Sequence, residues 1–166
     1  MESYAHNIAR NLFFSILMRH GTYSEDGKAF SDSSMILARE VKVSASWLET
    51  GAIDFDGLWH VEKGVFYRDP YEKTPVPKAL YSIDIASINK GCIYEAFEIT
   101  YKHSSDQRKM LDLAKNCTHL YEVFAWNILN KNPRSNEIKG FEWKVTDGKM
   151  QSASVIFFMG NNGRGN

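Results

Sequence analysis

The residues best suited to chemistry lie between Tyr81 and Lys115, in the stretch YSIDIASINKGCIYEAFEITYKHSSDQRKMLDLAK. Asp84 stands in one alternating apolar run, and Glu98, Thr100 and Lys102 share one side of a second. Carboxylates on adjoining strands with an ammonium close by suit metal-assisted hydrolysis of a phosphodiester. They offer oxygen ligands to a hard divalent cation and a positive group near the attacking water. Glu98 is the most informative single residue, because it sits between Phe97 and Ile99 and a buried carboxylate costs free energy unless it is partnered.

The elements that must position these groups follow from the same stretch. Leu80 to Ile88 reads as a strand, Asn89-Lys90-Gly91 as a tight turn and Cys92 to Tyr101 as the returning strand. On the second strand Ile93, Glu95, Phe97, Ile99 and Tyr101 form the expected packing face. Tyr94, Ala96, Glu98, Thr100 and Lys102 form the expected polar face. Ser104-Ser105-Asp106-Gln107 carries N-cap chemistry, and Met110, Leu113 and Ala114 give the following helix its apolar stripe. Tyr121 to Ile128 is a further apolar strand by composition. The order strand, helix, strand predicts a parallel pairing through a right-handed crossover.

Upstream, residues 4–20 have helical spacing, with Ile8, Leu12 and Ile16 on the stripe and Ala9, Phe13 and Leu17 widening it. His6 and Arg10 lie one turn apart on that helix. Residues 21–34 read as a loop. Arg39 to Ser46 alternates as a strand, with Val41 and Val43 opposite Glu40 and Lys42. Residues 58–68 predict a hairpin around Glu62-Lys63-Gly64, and the proline-rich residues 69–78 an irregular connection. Phe141 to Val145 and Ala153 to Met159 are expected strands joined through Thr146-Asp147-Gly148. Together these elements predict one α/β domain over residues 1–159, with a mixed central sheet flanked by helices, and a flexible tail over 160–166.

Composition narrows the options. The 166 residues carry a formal net charge of +0 and are 43% hydrophobic, so a sizeable core is available and no global field steers the chain toward anionic partners. Any contact with nucleic acid must use a local patch, and Lys102, His103, Arg108, Lys109 and Lys115 form one, offset by Asp106 and Asp112. Cys92 and Cys117 have no CxxC spacing and are expected to be free thiols. The opening MESYAHNIARN is too polar for a signal peptide, and no apolar run is long enough for a membrane span, so an intracellular, cytoplasmic location without membrane contact is expected. His20, His60, His103 and His119 are scattered and suggest no zinc site. Asp54-Phe55-Asp56-Gly57 lacks the later positions of a calcium loop and reads as a turn. Trp59, Phe66, Tyr67 and Tyr71 are enough for a base-stacking platform, although such residues more often fill a core.

The order of elements, with Asp84 and Glu98 so placed, resembles the PD-(D/E)xK nuclease superfamily, nearest to its competence CoiA-like branch. The matching pieces are His6-Asn7-Ile8-Ala9-Arg10, Ser82-Ile83-Asp84-Ile85, Phe97-Glu98-Ile99-Thr100, Lys102-His103-Ser104-Ser105 and the apolar strand at Tyr121. The resemblance covers about residues 4–130. It implies a restriction-endonuclease-like core and hydrolysis of phosphodiester bonds in DNA. It implies that Asp84, Glu98 and the backbone carbonyl of Ile99 bind Mg2+ or Mn2+. It implies that Lys102 or Thr100 positions the attacking water, and that His6 or Glu40 completes the metal shell. Thr100 stands where the family carries lysine, glutamine or glutamate, and Lys102 lies one alternation further on, about 7 Å along the strand. A homodimer is a further option. The alternative reading is a non-catalytic α+β interaction module for a protein partner. Carboxyls of Asp84 and Glu98 within about 5 Å, facing a cleft that Lys102 enters, favour the nuclease, and Glu98 in a closed ion pair with a neighbouring Arg or Lys favours the module.

Overall fold

The structure, a computed structural model, describes residues 4–28, 34–45, 47–50, 59–68, 79–101, 106–130 and 137–158. Its described strands form one mixed sheet of nine, in the order β1-β3-β4-β2-β5-β6-β7-β8-β9. The strands are β1 (Gly27–Lys28), β2 (Ile36–Val43), β3 (Trp59–Glu62), β4 (Val65–Arg68), β5 (Tyr81–Asn89), β6 (Cys92–Thr100), β7 (His119–Phe124), β8 (Glu137–Thr146) and β9 (Lys149–Phe158). The described helices are α1 (Tyr4–His20), α2 (Trp47–Thr50), α3 (Gln107–Asn116) and α4 (Ala125–Leu129). The architecture is mixed α/β, as the alternation of patterns predicted.

The sheet is covered on both faces. One core joins Trp47 of α2 and Met110 and Leu113 of α3 to Ile36, Ala38, Ile83, Ala86, Ala96 and Leu120. The other joins Phe13, Ile16 and Leu17 of α1 and Ala125 and Ile128 of α4 to Leu37, Ile85, Phe97, Ile99 and Val123. The α1 stripe is therefore rotated from the predicted one: Ala9, Phe13 and Phe14 are buried while Ile8 and Leu12 are partly exposed. Rings of Phe13 and Phe97 meet edge to face at 5.7 Å, which locks α1 over the middle of β6. Among the described residues no helix is long and apolar enough to cross a membrane.

The central hairpin forms as predicted, with Lys90 and Gly91 both at positive φ in its two-residue turn (φ 50 and 81). β6 then pairs in parallel with β7 after the α3 crossover, Glu98 falling beside Glu122. Asp106 caps α3, its side chain accepting from the Arg108 and Lys109 backbone N–H groups. β7 is shorter than its apolar sequence suggested. It ends at Phe124, and Ala125 to Leu129 turn into α4, placing Ile128 against the α1-side core. β2 starts earlier than expected, at Ile36, and the late hairpin β8–β9 is longer than expected.

Candidate functional site

The ladder between β5 and β6 runs from Asn89–Cys92 to Ile85–Phe97 and stops there. Beyond that point β5 continues to pair with β2, and β6 continues to pair with β7. The two strands thus part just where the register would set Asp84 against Glu98. Each carboxylate fills the gap left by the missing ladder bonds. Glu98 Oε2 accepts from the Asp84 backbone N–H at 3.1 Å, and Asp84 Oδ2 accepts from the Ile99 backbone N–H at 2.8 Å. This reciprocal arrangement satisfies the N–H groups that parting strands would otherwise leave unpaired.

The neighbouring strand is distorted at the same level. Ile36 and Ala38 pack on the α3 side and Leu37 on the α1 side, yet Val41 and Val43 are again on the α3 side. The alternation slips at Glu40, which has φ 52, a left-handed conformation in mid-strand. Register places Glu40 between the pairs Arg39–Ile85 and Val41–Ile83, hence beside Asp84. β5 slips likewise at Asp84, with Ile83 on the α3 side and Ile85 on the α1 side. A residue in this conformation costs about 1–3 kcal/mol and persists only where its surroundings enforce it.

Two helices complete the site. From α1, His6 Nε2 lies 2.8 Å from the Ile99 carbonyl and 3.3 Å from Asp84 Oδ2. Both partners are acceptors, so Nε2 carries the proton. From α3, Lys109 Nζ lies 2.7 Å from Glu98 Oε1 and donates to the Ser82 carbonyl at 2.8 Å. Asp84 and Ile99 thus point their oxygens at His6, and Glu98 points one oxygen at Lys109. Glu98 is 3% exposed. Burial first, and the charge of Asp84 second, push its carboxyl up to about 7, against the downward pull of Lys109 and the Asp84 N–H.

Asp84, Glu98 and the Ile99 carbonyl are therefore brought together as expected, and His6 joins them. Glu40 instead lies 3.5 Å from Arg10 Nη1, at the rim. Thr100 does not reach the site through its hydroxyl, which donates to Glu122 Oε2 at 2.7 Å. Along the expected polar face of β6 Tyr94 is exposed, while Ala96, Glu98 and Thr100 are all buried. Lys102 lies outside the described residues. So do the Asp54–Gly57 turn and the proline-rich connection. Of the aromatic run, Phe66 is buried in the core, and the Trp59 and Tyr67 side chains and all of Tyr71 fall outside the described set.

Sequence reasoning placed Lys109 in a surface cluster and missed its partner. A signal was available: Lys109 precedes Met110 and lies one turn before Leu113, so it borders the buried stripe of a helix that must cross over the sheet.

Among the described residues no three His, Cys, Asp or Glu side chains form a metal cage. The site instead offers two carboxylates and a backbone carbonyl. An all-oxygen set is the kind a hard divalent cation takes; here burial first and the adjacent Asp84 second hold Glu98 short of full ionisation, its Oε1 faces Lys109, and the Asp84 and Ile99 oxygens face His6. No protein-family model matches the chain, and neither does a curated protein or a solved structure.

Proposed function

We propose that the protein is a metal-dependent nuclease of the PD-(D/E)xK kind, hydrolysing phosphodiester bonds in DNA. The observation that carries this reading is the convergence of Asp84, Glu98, the Ile99 carbonyl and Lys109 at the point where β5 and β6 part. The order α1, β2, the β5–β6 hairpin, α3 and a parallel β7 supports a restriction-endonuclease-like core around it.

Asp84, Glu98 and the Ile99 carbonyl would hold magnesium or manganese. Bound there, the ion supplies Lewis acidity toward a phosphate oxygen and a lowered pKa for an attacking water. The chain contributes position and charge. The strand N–H groups of Asp84 and Ile99 fix the two carboxylates before any ligand arrives. Lys109, anchored on the Ser82 carbonyl, sets an ammonium against Glu98, where it steadies the negative charge that builds on the phosphoryl group. In this reading Lys109 is the ammonium beside the carboxylates, with charge stabilisation as its role in place of the water positioning expected of Lys102. His6, donating toward Asp84 and Ile99, orients both ligands.

One observation favours the second reading, a non-catalytic interaction module: the Glu98–Lys109 ion pair is closed at 2.7 Å. The two readings are separated by magnesium- or manganese-dependent cleavage of plasmid and single-stranded DNA. Wild type is expected to cleave both, and Asp84→Ala and Glu98→Ala are each expected to lose about a thousandfold in rate. Cleavage that survives both substitutions removes the nuclease reading.

A further inference from the structure

A cavity of about 590 Å³ opens between α3 and the β8–β9 hairpin, on the opposite side of α3 from Lys109. Met110, Leu111, Trp143 and Met150 give it apolar walls, Glu122 a single buried acid, and Arg108 a cationic rim. Its size falls in the range of about 300–1,000 Å³ usual for small-molecule sites. Glu122 is 4% exposed and is oriented by two donors, Trp143 Nε1 at 3.1 Å on one oxygen and the Thr100 hydroxyl at 2.7 Å on the other. A carboxylate accepts about four hydrogen bonds, so an aimed acceptor still has capacity toward a ligand.

Glu122 is also the register partner of Glu98 on the adjoining parallel strand. Neighbouring strands lie about 4.8 Å apart, so the cavity floor is one strand removed from the carboxylate pair. The lining itself suits a ligand that is flat and apolar on its faces, carries an N–H edge for Glu122 and bears a negative group for the Arg108 rim.

We propose that this cavity is a nucleobase pocket, which receives an unpaired, amino-bearing base beside the scissile phosphodiester. The proposal rests on the nuclease reading and deepens it, since it names an unpaired stretch, in single-stranded DNA or where a duplex opens, as the preferred substrate form. The base must be unpaired, because in a duplex its amino edge is engaged and its faces are stacked. The Trp143 ring and the soft methionine walls provide stacking surface that tolerates any base. Glu122 supplies the choice among bases. It accepts from an exocyclic amine, as carboxylates do from cytosine, and repels the two carbonyls that flank the imide of uracil or thymine. Arg108 stands at the rim with its side chain 83% exposed and its Nε 4.0 Å from Asp112 Oδ2, an exposed pair that an attached phosphate can compete for.

The test is titration of CMP, AMP and UMP into the full chain, followed by tryptophan fluorescence and calorimetry. CMP and AMP are expected to bind about tenfold more tightly than UMP. Met150→Trp, which fills the cavity from its outer wall, is expected to abolish binding, and Glu122→Gln to erase the preference for amino-bearing bases. Thermal unfolding verifies that the variants fold, and Leu111→Trp serves where Met150→Trp does not. Absence of binding at millimolar nucleotide, or binding indifferent to base and to the filled cavity, overturns the pocket. Cleavage of single-stranded DNA without nucleotide binding removes the pocket and leaves the nuclease reading standing. Base-selective binding without cleavage supports the pocket and removes the nuclease.

Discussion

Glu95 and Glu98 stand three residues apart on the same strand, and both reach across the hairpin to β5. Glu95 lies where the ladder is closed. It pairs in register with Ser87 and accepts from two neutral hydroxyls, Ser87 at 2.9 Å and Tyr23 at 2.7 Å. Glu98 lies where the ladder has parted. It meets a backbone N–H, an ammonium and the field of a second carboxylate. The first arrangement ties a loop-borne tyrosine and a strand serine to one acceptor and asks nothing further of it. The second keeps two acids together in a dry place, opposite a left-handed Glu40. Such a site is costly in free energy and is more often kept for chemistry than for stability.

The sharpest way to break this contrast is Lys109→Met. Loss of a positioned cation is expected to lower cleavage about a hundredfold or more. Leaving Glu98 without its partner is expected to cost about 3 kcal/mol, less whatever a proton on Glu98 recovers. Adding Glu98→Gln should restore most of the stability and none of the cleavage, which chemical denaturation and a plasmid assay will show. Full activity in Lys109→Met would make the lysine a structural partner and give Glu98 the same standing as Glu95.

The pH dependence sharpens the same point. Glu98 titrates higher in the folded chain, at about 7, than in the unfolded chain, where it has its ordinary value. The folded state therefore holds more protons between those two values, and stability falls as pH rises through that window. The full penalty is present above about 7 and absent below the ordinary carboxylate range. In metal-free protein, Glu98→Gln is expected to flatten this decline relative to wild type, and Glu95→Gln to leave it in place. Magnesium should stabilise wild type more at pH above about 7 than below it, since binding requires the ionised form. Parallel declines for wild type and Glu98→Gln would show that Glu98 is not the group responsible.

Much of this frame was legible in the sequence. The Asn89-Lys90-Gly91 turn, the alternation on either side of it and the Asp106 cap fixed the hairpin and the helix after it, because these signals are local. Asp84 and Glu98 were legible as a pair because an acid inside an apolar strand needs a reason. Lys109 was not, since its contact with Glu98 depends on how α3 crosses the sheet. The strand slips at Glu40 and Asp84 were not legible either, because alternation read from sequence assumes an unbroken register. The burial of Glu98 was suggested by its apolar neighbours, but that of Thr100 was not, because the polar face of β6 gave no sign of the elements that cover it. Phe124 shows the same limit, as YEVFAWNI is largely apolar with no break signal and only tertiary contact makes Ala125 to Leu129 helical.

The smallest expected effect tests the quiet half of the comparison. Burial and the Glu95 hydrogen bond raise the Tyr23 hydroxyl well above the ordinary tyrosine range, so it is a donor throughout the neutral range. Tyr23→Phe removes that donor and keeps the ring. Glu95 retains the Ser87 hydroxyl and is partly exposed, so water can replace what is lost. The expected cost is about 1 kcal/mol in denaturant unfolding, with cleavage unchanged and the pH profile of stability parallel to wild type. A change in cleavage here would mean that the closed end of the hairpin controls the open one. The parting of β5 and β6 would then be a property of the whole hairpin, and Glu95 would belong to the site it now only borders.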